Sequence, residues 1–260
     1  MKGLLALLLA GVLLLIGACS SSGATKSSNP PTANSTVTGS ITVLAAASLT
    51  ETFTTLKQQV EAKYPGTTIN LTFGASSDLS TQITQGKPAD VFASASNKNM
   101  TAVVHAGNAT KPVDFVSNTL EIAVPPSNPG KITQLADLAK PGVKVGVCAP
   151  AVPCGVVAAK VFANAKLDVK ASANLQDVKS TLAVVESGEV DAGLVYVTDV
   201  RSAGNKVNGI LIPDDVNAST TYPIVVLKDA KNAALAKAFV DYVLSPAGQQ
   251  VLTAGGFKKP

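Results

Sequence analysis

Short β-branched runs alternate along the chain with segments whose apolar residues recur at helical spacing. We predict strands at 41–44, 68–73, 90–93, 118–125, 143–147, 193–197 and 222–227. We predict helices around Phe53 and Leu79, after Pro153, and around Leu182 and Phe239, where apolar residues stand three or four positions apart. This alternation predicts an α/β fold with largely parallel sheets.

The order of these elements predicts two lobes. Residues 41–121 and 222–260 form the first α/β lobe in this prediction, and residues 122–221 form the second. The chain leaves one lobe, builds the other and returns, so two hinge strands join them. A cleft between two hinged lobes can close around a ligand.

The start of the chain has the layout of a secretory signal. Lys2 precedes an apolar run at 4–16, which is too short to span a membrane comfortably. The small residues before Cys19 resemble a bacterial lipobox, so we expect residues 1–19 to be a lipoprotein signal peptide and Cys19 to be acylated. An ordinary cleaved signal with an incidental cysteine is the alternative. Residues 20–40 are rich in Ser, Thr, Asn, Pro and Gly, which predicts a flexible tether at the outer face of the cytoplasmic membrane.

Composition excludes several kinds of partner. The net charge is only +4, aromatic residues make up 4% of the chain, and the lysines are scattered, so nucleic acid is not an expected partner. With His105 as the single histidine, a zinc site has almost no ligands available. Cys148 and Cys154 form an even pair in a compartment that permits disulfides. Two free thiols, or a metal pair that lacks its other ligands, remain alternatives.

Two turns from strand to helix in the first lobe suggest a binding edge. Ser48 lies in the AAASLTE segment at 45–51 and, with Glu51, matches a capping box. Ser76 lies in the GASSDL segment at 74–79, after the next strand. Turns that follow parallel strands meet at one edge of a sheet, where helix N-termini can hold an anion. Plain capping of the helix is the alternative for Ser48.

Similar positions occur in the second lobe. Pro153 at a helix start leaves the amide of Cys154 free to donate a hydrogen bond. Asp177 can cap the next helix, which leaves the Val178 amide as another donor. Tyr196 adds a hydroxyl near the end of a strand, with an ordinary core tyrosine as the alternative.

The chain offers hydrogen-bond donors without catalytic machinery. It has no G-x-S-x-G elbow, Walker A loop or H-E-x-x-H motif, and His105 cannot activate serines in several turns. We therefore expect a binding protein and no enzymatic activity. A hydrolase that uses Ser76 or Ser77 as nucleophile and a purely structural surface lipoprotein are the rivals from other classes.

Several motifs together resemble the periplasmic molybdate-binding proteins of ABC importers, here in a lipoprotein form. They are AAASLT at 45–50, FGASS at 73–77, PADVF at 88–92, VPCG at 152–155 and YVLSPAGQQVL at 242–252. The resemblance implies a type II periplasmic binding protein fold that holds molybdate or tungstate and works with an ABC permease and its ATPase, without a cofactor. The implied ligand contacts are Ser48, Ser76, Cys154, Val178 and Tyr196. We expect a monomer, and a receptor for sulfate or another tetrahedral oxyanion is the alternative function.

Overall fold

Nine strands and eight α-helices make up residues 37–260, the part of the chain that the structure, a computed structural model, describes. The strands are β1 (Gly39–Ala46), β2 (Thr67–Gly74), β3 (Val91–Ala93), β4 (Val113–Val124), β5 (Val145–Cys148), β6 (Ala171–Leu175), β7 (Ala192–Tyr196), β8 (Asn208–Leu211) and β9 (Ser219–Val226). The α-helices are α1 (Thr50–Lys63), α2 (Ser76–Thr84), α3 (Asn97–His105), α4 (Pro153–Asn164), α5 (Val178–Glu186), α6 (Val197–Ala203), α7 (Ala233–Leu244) and α8 (Pro246–Ala254). Short 3-10 helices occupy Ala47–Leu49, Leu135–Ala139 and Gly204–Lys206.

The strands follow the order β2-β1-β3-β9-β4-β7-β5-β6, with β8 paired to β4. β1 pairs in parallel with β2 and β3, and β5 pairs in parallel with β6 and β7. β4 and β9, in contrast, run antiparallel to every strand that they pair with. The prediction of largely parallel sheets is therefore wrong for the middle of the fold, because both strands that connect the lobes pass through it.

β4 and β9 are the two hinge strands of a two-lobed α/β fold. The first part of β4 pairs with β9, whereas Leu120 and the residues after it pair with β7 and β8. The first lobe contains β1–β3, α1–α3, α7 and α8, and the second contains β5–β8 and α4–α6. The residue boundaries given above for the lobes stay a prediction.

Each lobe has its own apolar core. Phe53 of α1 lies at the centre of the first core, with ring centroids 6.1 Å from Phe115 and 5.8 Å from Phe239. Buried residues of α4, α5, β5 and β7 form the second core. Ala47 and Ala75 of the first lobe pack into this second core, so the two lobes are in contact around the turns that carry them.

The predicted signal peptide at 1–19, the lipid on Cys19 and most of the tether at 20–40 lie outside the described residues. The end of the predicted tether does belong to the fold. Gly39 and Ser40 pair with Thr67 and Thr68, so β1 begins before Ile41. No helix within 37–260 has the length and apolar character needed to cross a membrane.

Candidate functional site

The turns at the carboxyl ends of the strands converge on one small cavity. Both lobes contribute to its wall. The lining residues are Ala46, Ala47, Ser48, Gly74, Ala75, Ser76, Ala95, Val152, Pro153, Cys154, Asp177, Val178 and Tyr196. All five residues predicted as ligand contacts are therefore brought together at one place, although they come from both lobes.

Small residues allow the first lobe to bring its backbone to the cavity. The register pairs Ala46 with Gly74 and Ala45 with Ala93, so β1, β2 and β3 end at the same edge of the sheet. Ala75 is the N-cap of α2, and its methyl group leaves the cavity open. Larger side chains after each strand would fill the space between the turns. Small residues at these positions therefore keep the cavity open.

Ser48 does not take part in the capping box that its spacing to Glu51 predicts. A 3-10 turn, Ala47–Leu49, precedes α1, whose N-cap is Leu49 without a side-chain hydrogen bond. The Ser48 Oγ atom instead lies 2.8 Å from the Tyr222 hydroxyl. Because one extra turn stands before α1, the serine faces the cavity rather than the end of the helix.

Tyr222 of β9 is a functional candidate that the sequence did not reveal. Burial raises the pKa of Tyr222 above its ordinary value of 10.0, so the phenol keeps its proton at neutral pH. When Tyr222 donates to Ser48 Oγ, the serine proton is free to point into the cavity. A tyrosine within a β-branched run is typical of a core strand, and only the three-dimensional pairing brings it to Ser48.

Ser76 is oriented by a bond from its own lobe. It is the first residue of α2, and its Oγ accepts a hydrogen bond of 2.9 Å from the backbone N–H of Ala95, in the turn after β3. A hydroxyl that already accepts one hydrogen bond still has its proton to donate. Ser76 therefore presents a donor to the cavity in a fixed direction.

Two helix starts of the second lobe face the serines. Val152 is the N-cap of α4 and Pro153 follows it, so the amide of Cys154 lies in the first turn, where helices leave N–H groups without an internal partner. Val178 is the first residue of α5, and the Asp177 carboxylate caps that helix with a hydrogen bond of 2.8 Å from Ser180 N–H. The capping role predicted for Asp177 is confirmed.

A disulfide joins Cys148, the last residue of β5, to Cys154. The turn between them is tightly packed. A β-carbon added to Gly155 would overlap the carbonyl oxygen of Ala149, so only glycine fits there. The disulfide and this close backbone approach together fix the turn that presents the Cys154 amide.

The Tyr196 hydroxyl is the clearest sign that the cavity receives a ligand. Tyr196 is 1% exposed, and its hydroxyl makes no well-formed hydrogen bond among the described residues, although the Tyr222 side chain lies close enough to interact with it. A buried polar group without a partner is costly, and such groups are rare in native proteins. Burial raises the pKa of Tyr196 well above its ordinary value of 10.0, so the hydroxyl is a donor at neutral pH. A ligand atom that accepts a hydrogen bond would satisfy it.

The chemistry of the lining suits a small anion. α2, α4 and α5 begin at the cavity and direct the positive ends of their dipoles towards it. Asp177 is the only carboxylate in the lining, and its cap occupies one of its oxygens. Ser48 and Ser76 bond to a phenol and an amide, neither of which can act as a general base at neutral pH. The described residues thus form a shell of neutral donors rather than a nucleophilic site.

Comparison with known sequences agrees with a binding cavity to which helix starts of both lobes contribute. Residues 41–258 match the family model of bacterial extracellular solute-binding proteins. The chain belongs to this family.

Individual members of this solute-binding family are similar over most of the chain. The molybdate-binding protein ModA of Mycobacterium tuberculosis (strain ATCC 25618 / H37Rv) is 41% identical over 222 residues, 85% of each protein. The substrate-binding domain of a putative molybdenum ABC transporter from Clostridium difficile has 30% identity and a TM-score of 0.65, covering 86% of this chain and 100% of that one. The sulfate-binding protein SubI from Mycobacterium tuberculosis H37Rv has a TM-score of 0.76, covering 85% of this chain and 87% of that one. At 20% identity, the likeness to SubI shows the fold alone.

Next to the cavity, this solute-binding protein carries a buried carboxylate. Asp199 is 0% exposed, and it accepts a hydrogen bond of 3.1 Å from the backbone N–H of Tyr196 at the start of α6. Its other oxygen lies 3.0 Å from the Lys179 ammonium. Burial raises the pKa of Asp199 from 3.8 to about 6, although the Lys179 charge opposes the shift. Asp199 therefore fixes the backbone of Tyr196 but does not line the cavity itself.

Proposed function

We propose that this solute-binding protein captures molybdate, and also tungstate, in the cavity between its lobes and delivers the anion to an ABC permease and its ATPase. The observation that carries the proposal is a cavity where three α-helices begin and where the buried Tyr196 hydroxyl makes no well-formed hydrogen bond within residues 37–260. The contacts are the hydroxyls and amides of Ser48 and Ser76, the backbone amides of Cys154 and Val178, and the hydroxyl of Tyr196. The 41% identity to a molybdate-binding protein supports this choice of anion.

The donor set also favours a fully ionised anion. A tetrahedral dianion presents only acceptors, which match a shell of hydroxyl and amide donors. An oxyanion that still carries a proton, such as hydrogen phosphate, would need an acceptor in the cavity. The Asp177 carboxylate is the only side-chain carboxylate in the lining, and because one of its oxygens caps α5, only the other oxygen remains as an acceptor. Sulfate meets the same condition, so a sulfate receptor is the second candidate.

A thermal unfolding panel with molybdate, tungstate, sulfate, phosphate and chromate tests the proposed function. At a ligand concentration of 100 times Kd, binding should stabilise the native state by about 2.7 kcal/mol. For a protein of this size, we expect Tm to rise by roughly 5 to 10 °C. Molybdate and tungstate should produce this shift, and the other anions should not. An equal shift with sulfate would refute the specificity, and no shift with any oxyanion would refute the receptor function.

We also propose that Cys19 carries a lipid that anchors the protein, as a monomer, at the outer face of the cytoplasmic membrane. The lipobox-like residues before Cys19 and the Ser, Thr and Pro-rich segment that follows support this proposal. The full-length protein should then sediment with membranes, and Cys19→Ser should move it to the soluble extracytoplasmic fraction. Cell fractionation followed by immunoblotting measures the change. Membrane association of Cys19→Ser equal to that of the wild type would rule out the anchor.

A further inference from the structure

An ionic contact joins the two lobes directly beside the cavity. The Lys179 ammonium lies 2.8 Å and 2.9 Å from the two carboxylate oxygens of Glu51. Lys179 lies in the first turn of α5 in the second lobe, whereas Glu51 lies in the first turn of α1 in the first lobe. The contact therefore crosses the cleft.

Lys179 and Glu51 each lie close in sequence to a cavity residue of their own lobe. Lys179 directly follows Val178, and Glu51 stands three positions after Ser48. Any movement that separates the two lobes must break the contact and also separate these two cavity residues. The other ion pairs between described side chains each join residues of one lobe, so the contact between Lys179 and Glu51 is the only ion pair among the described residues that crosses the cleft. The others are Lys57–Glu61, Lys140–Asp137, Lys170–Asp168, Lys179–Asp199, Lys206–Glu186 and Lys237–Asp241.

Lys179 is held in place from its own side of the cleft. Its ammonium lies 3.0 Å from the buried Asp199 carboxylate and 3.1 Å from Ser202 Oγ, both on α6 of the same lobe. Burial lowers the pKa of Lys179, but the carboxylates of Asp199 and Glu51 outweigh this and raise it overall. The lysine thus stays charged and fixed within the second lobe, and Glu51, whose side chain is 51% exposed, is the partner that separates.

We propose that Glu51 and Lys179 form a latch that holds the lobes closed over the bound solute and sets how long the solute stays. The latch rests on the proposed receptor function. Its strength is that of a partly exposed ion pair, which is modest and weakened by salt. Glu51 lies outside the cavity lining, so it affects the residence time of the anion without choosing which anion binds.

Stopped-flow kinetics with molybdate on the wild type and on Glu51→Gln tests the latch. We expect the dissociation rate constant of Glu51→Gln to be about two- to fivefold higher, with the association rate constant nearly unchanged. Raising NaCl should speed dissociation from the wild type more than from Glu51→Gln, because only the wild type has a charge pair to screen. The Tm of the ligand-free variant should match that of the wild type, since a latch between lobes adds little to the core of either lobe.

Asp241→Asn is the matched control, because it removes an exposed ion pair with Lys237 that lies entirely on α7. Its dissociation rate and salt dependence should equal those of the wild type. If the wild type binds molybdate but Glu51→Gln has the wild-type dissociation rate and salt dependence, the latch is wrong and the receptor function stands. If the wild type binds no oxyanion in the thermal panel, the receptor function itself has failed.

Discussion

Replacing Ser48 or Ser76 by alanine should weaken molybdate binding by about 1 to 3 kcal/mol for each serine, because a buried anion oxygen loses its donor. Tyr222 and the Ala95 amide orient these two hydroxyls. The double variant should bind more weakly than either single variant. Isothermal titration calorimetry of the three variants measures the loss.

Ser80→Ala is the matched control for these variants. Like Ser76, Ser80 is a buried serine of α2. Its hydroxyl, however, donates to the carbonyl oxygen of Ser77, and Ser80 does not line the cavity. Its substitution should leave molybdate affinity at the wild-type value. Wild-type affinity in both Ser48→Ala and Ser76→Ala would move the binding site away from this cavity.

Asp199→Asn should become more stable relative to the wild type as pH rises. Burial raises the pKa of Asp199 to about 6, above its ordinary value of 3.8, so the folded protein favours the protonated acid. The stability that this proton supplies is fully present below pH 3.8 and is lost as pH rises through about 6. Asparagine resembles the protonated acid at every pH. Between pH 4 and pH 7, the difference in unfolding free energy should shift in favour of Asp199→Asn by at most about 3 kcal/mol.

Urea unfolding at pH 4, 5, 6 and 7 measures that difference. Asp168→Asn is the control, since its carboxylate is exposed and its pair with Lys170 lies on the surface. The stability of Asp168→Asn relative to the wild type should change little with pH. If Asp199→Asn instead loses stability relative to the wild type as pH rises, the ion pair with Lys179 dominates and the pKa of Asp199 is lowered.

Much of the site could be predicted because its signals are local. A strand and a helix start lie within a few positions of each other: Ala75 alone separates β2 from α2, and residues 149–152 separate β5 from α4. The fold class followed from the alternation of strands and helices, and the family match to solute-binding proteins agrees with it. Within the lobes, the predicted strand 68–73 differs from β2 by one residue at each end, because its apolar residues alternate clearly.

Elements with little buried surface could not be predicted. β6 and β8 have mostly exposed or half-buried residues, so their sequences lack the apolar alternation of a strand. α3 buries only Met100 and Val103 and appeared as a polar segment. α6 was missed for the opposite reason, because the apolar run through Val195 and Tyr196 continues into Val197, where the strand has already become a helix.

Contacts between residues that are far apart in the sequence could not be predicted either. Tyr222 meets Ser48, and Lys179 meets Glu51, across separations of 174 and 128 residues. Local spacing explained Glu51 as a capping residue, which was wrong, because the 3-10 turn places Leu49 at the helix N-cap. Only the arrangement of the lobes shows that Glu51 faces a lysine rather than the end of its own helix.

In the proposed receptor, the division of the donors between the lobes determines how the anion is unloaded. Ser48 and Ser76 belong to one lobe, and Cys154, Val178 and Tyr196 belong to the other. When the hinge strands bend open, the shell splits into two incomplete halves, and water enters between them. No lysine or arginine of the cavity lining keeps hold of the anion. In the transport role proposed above, a permease that spreads the two lobes would empty the site by geometry alone, without a change in the protonation of any lining side chain.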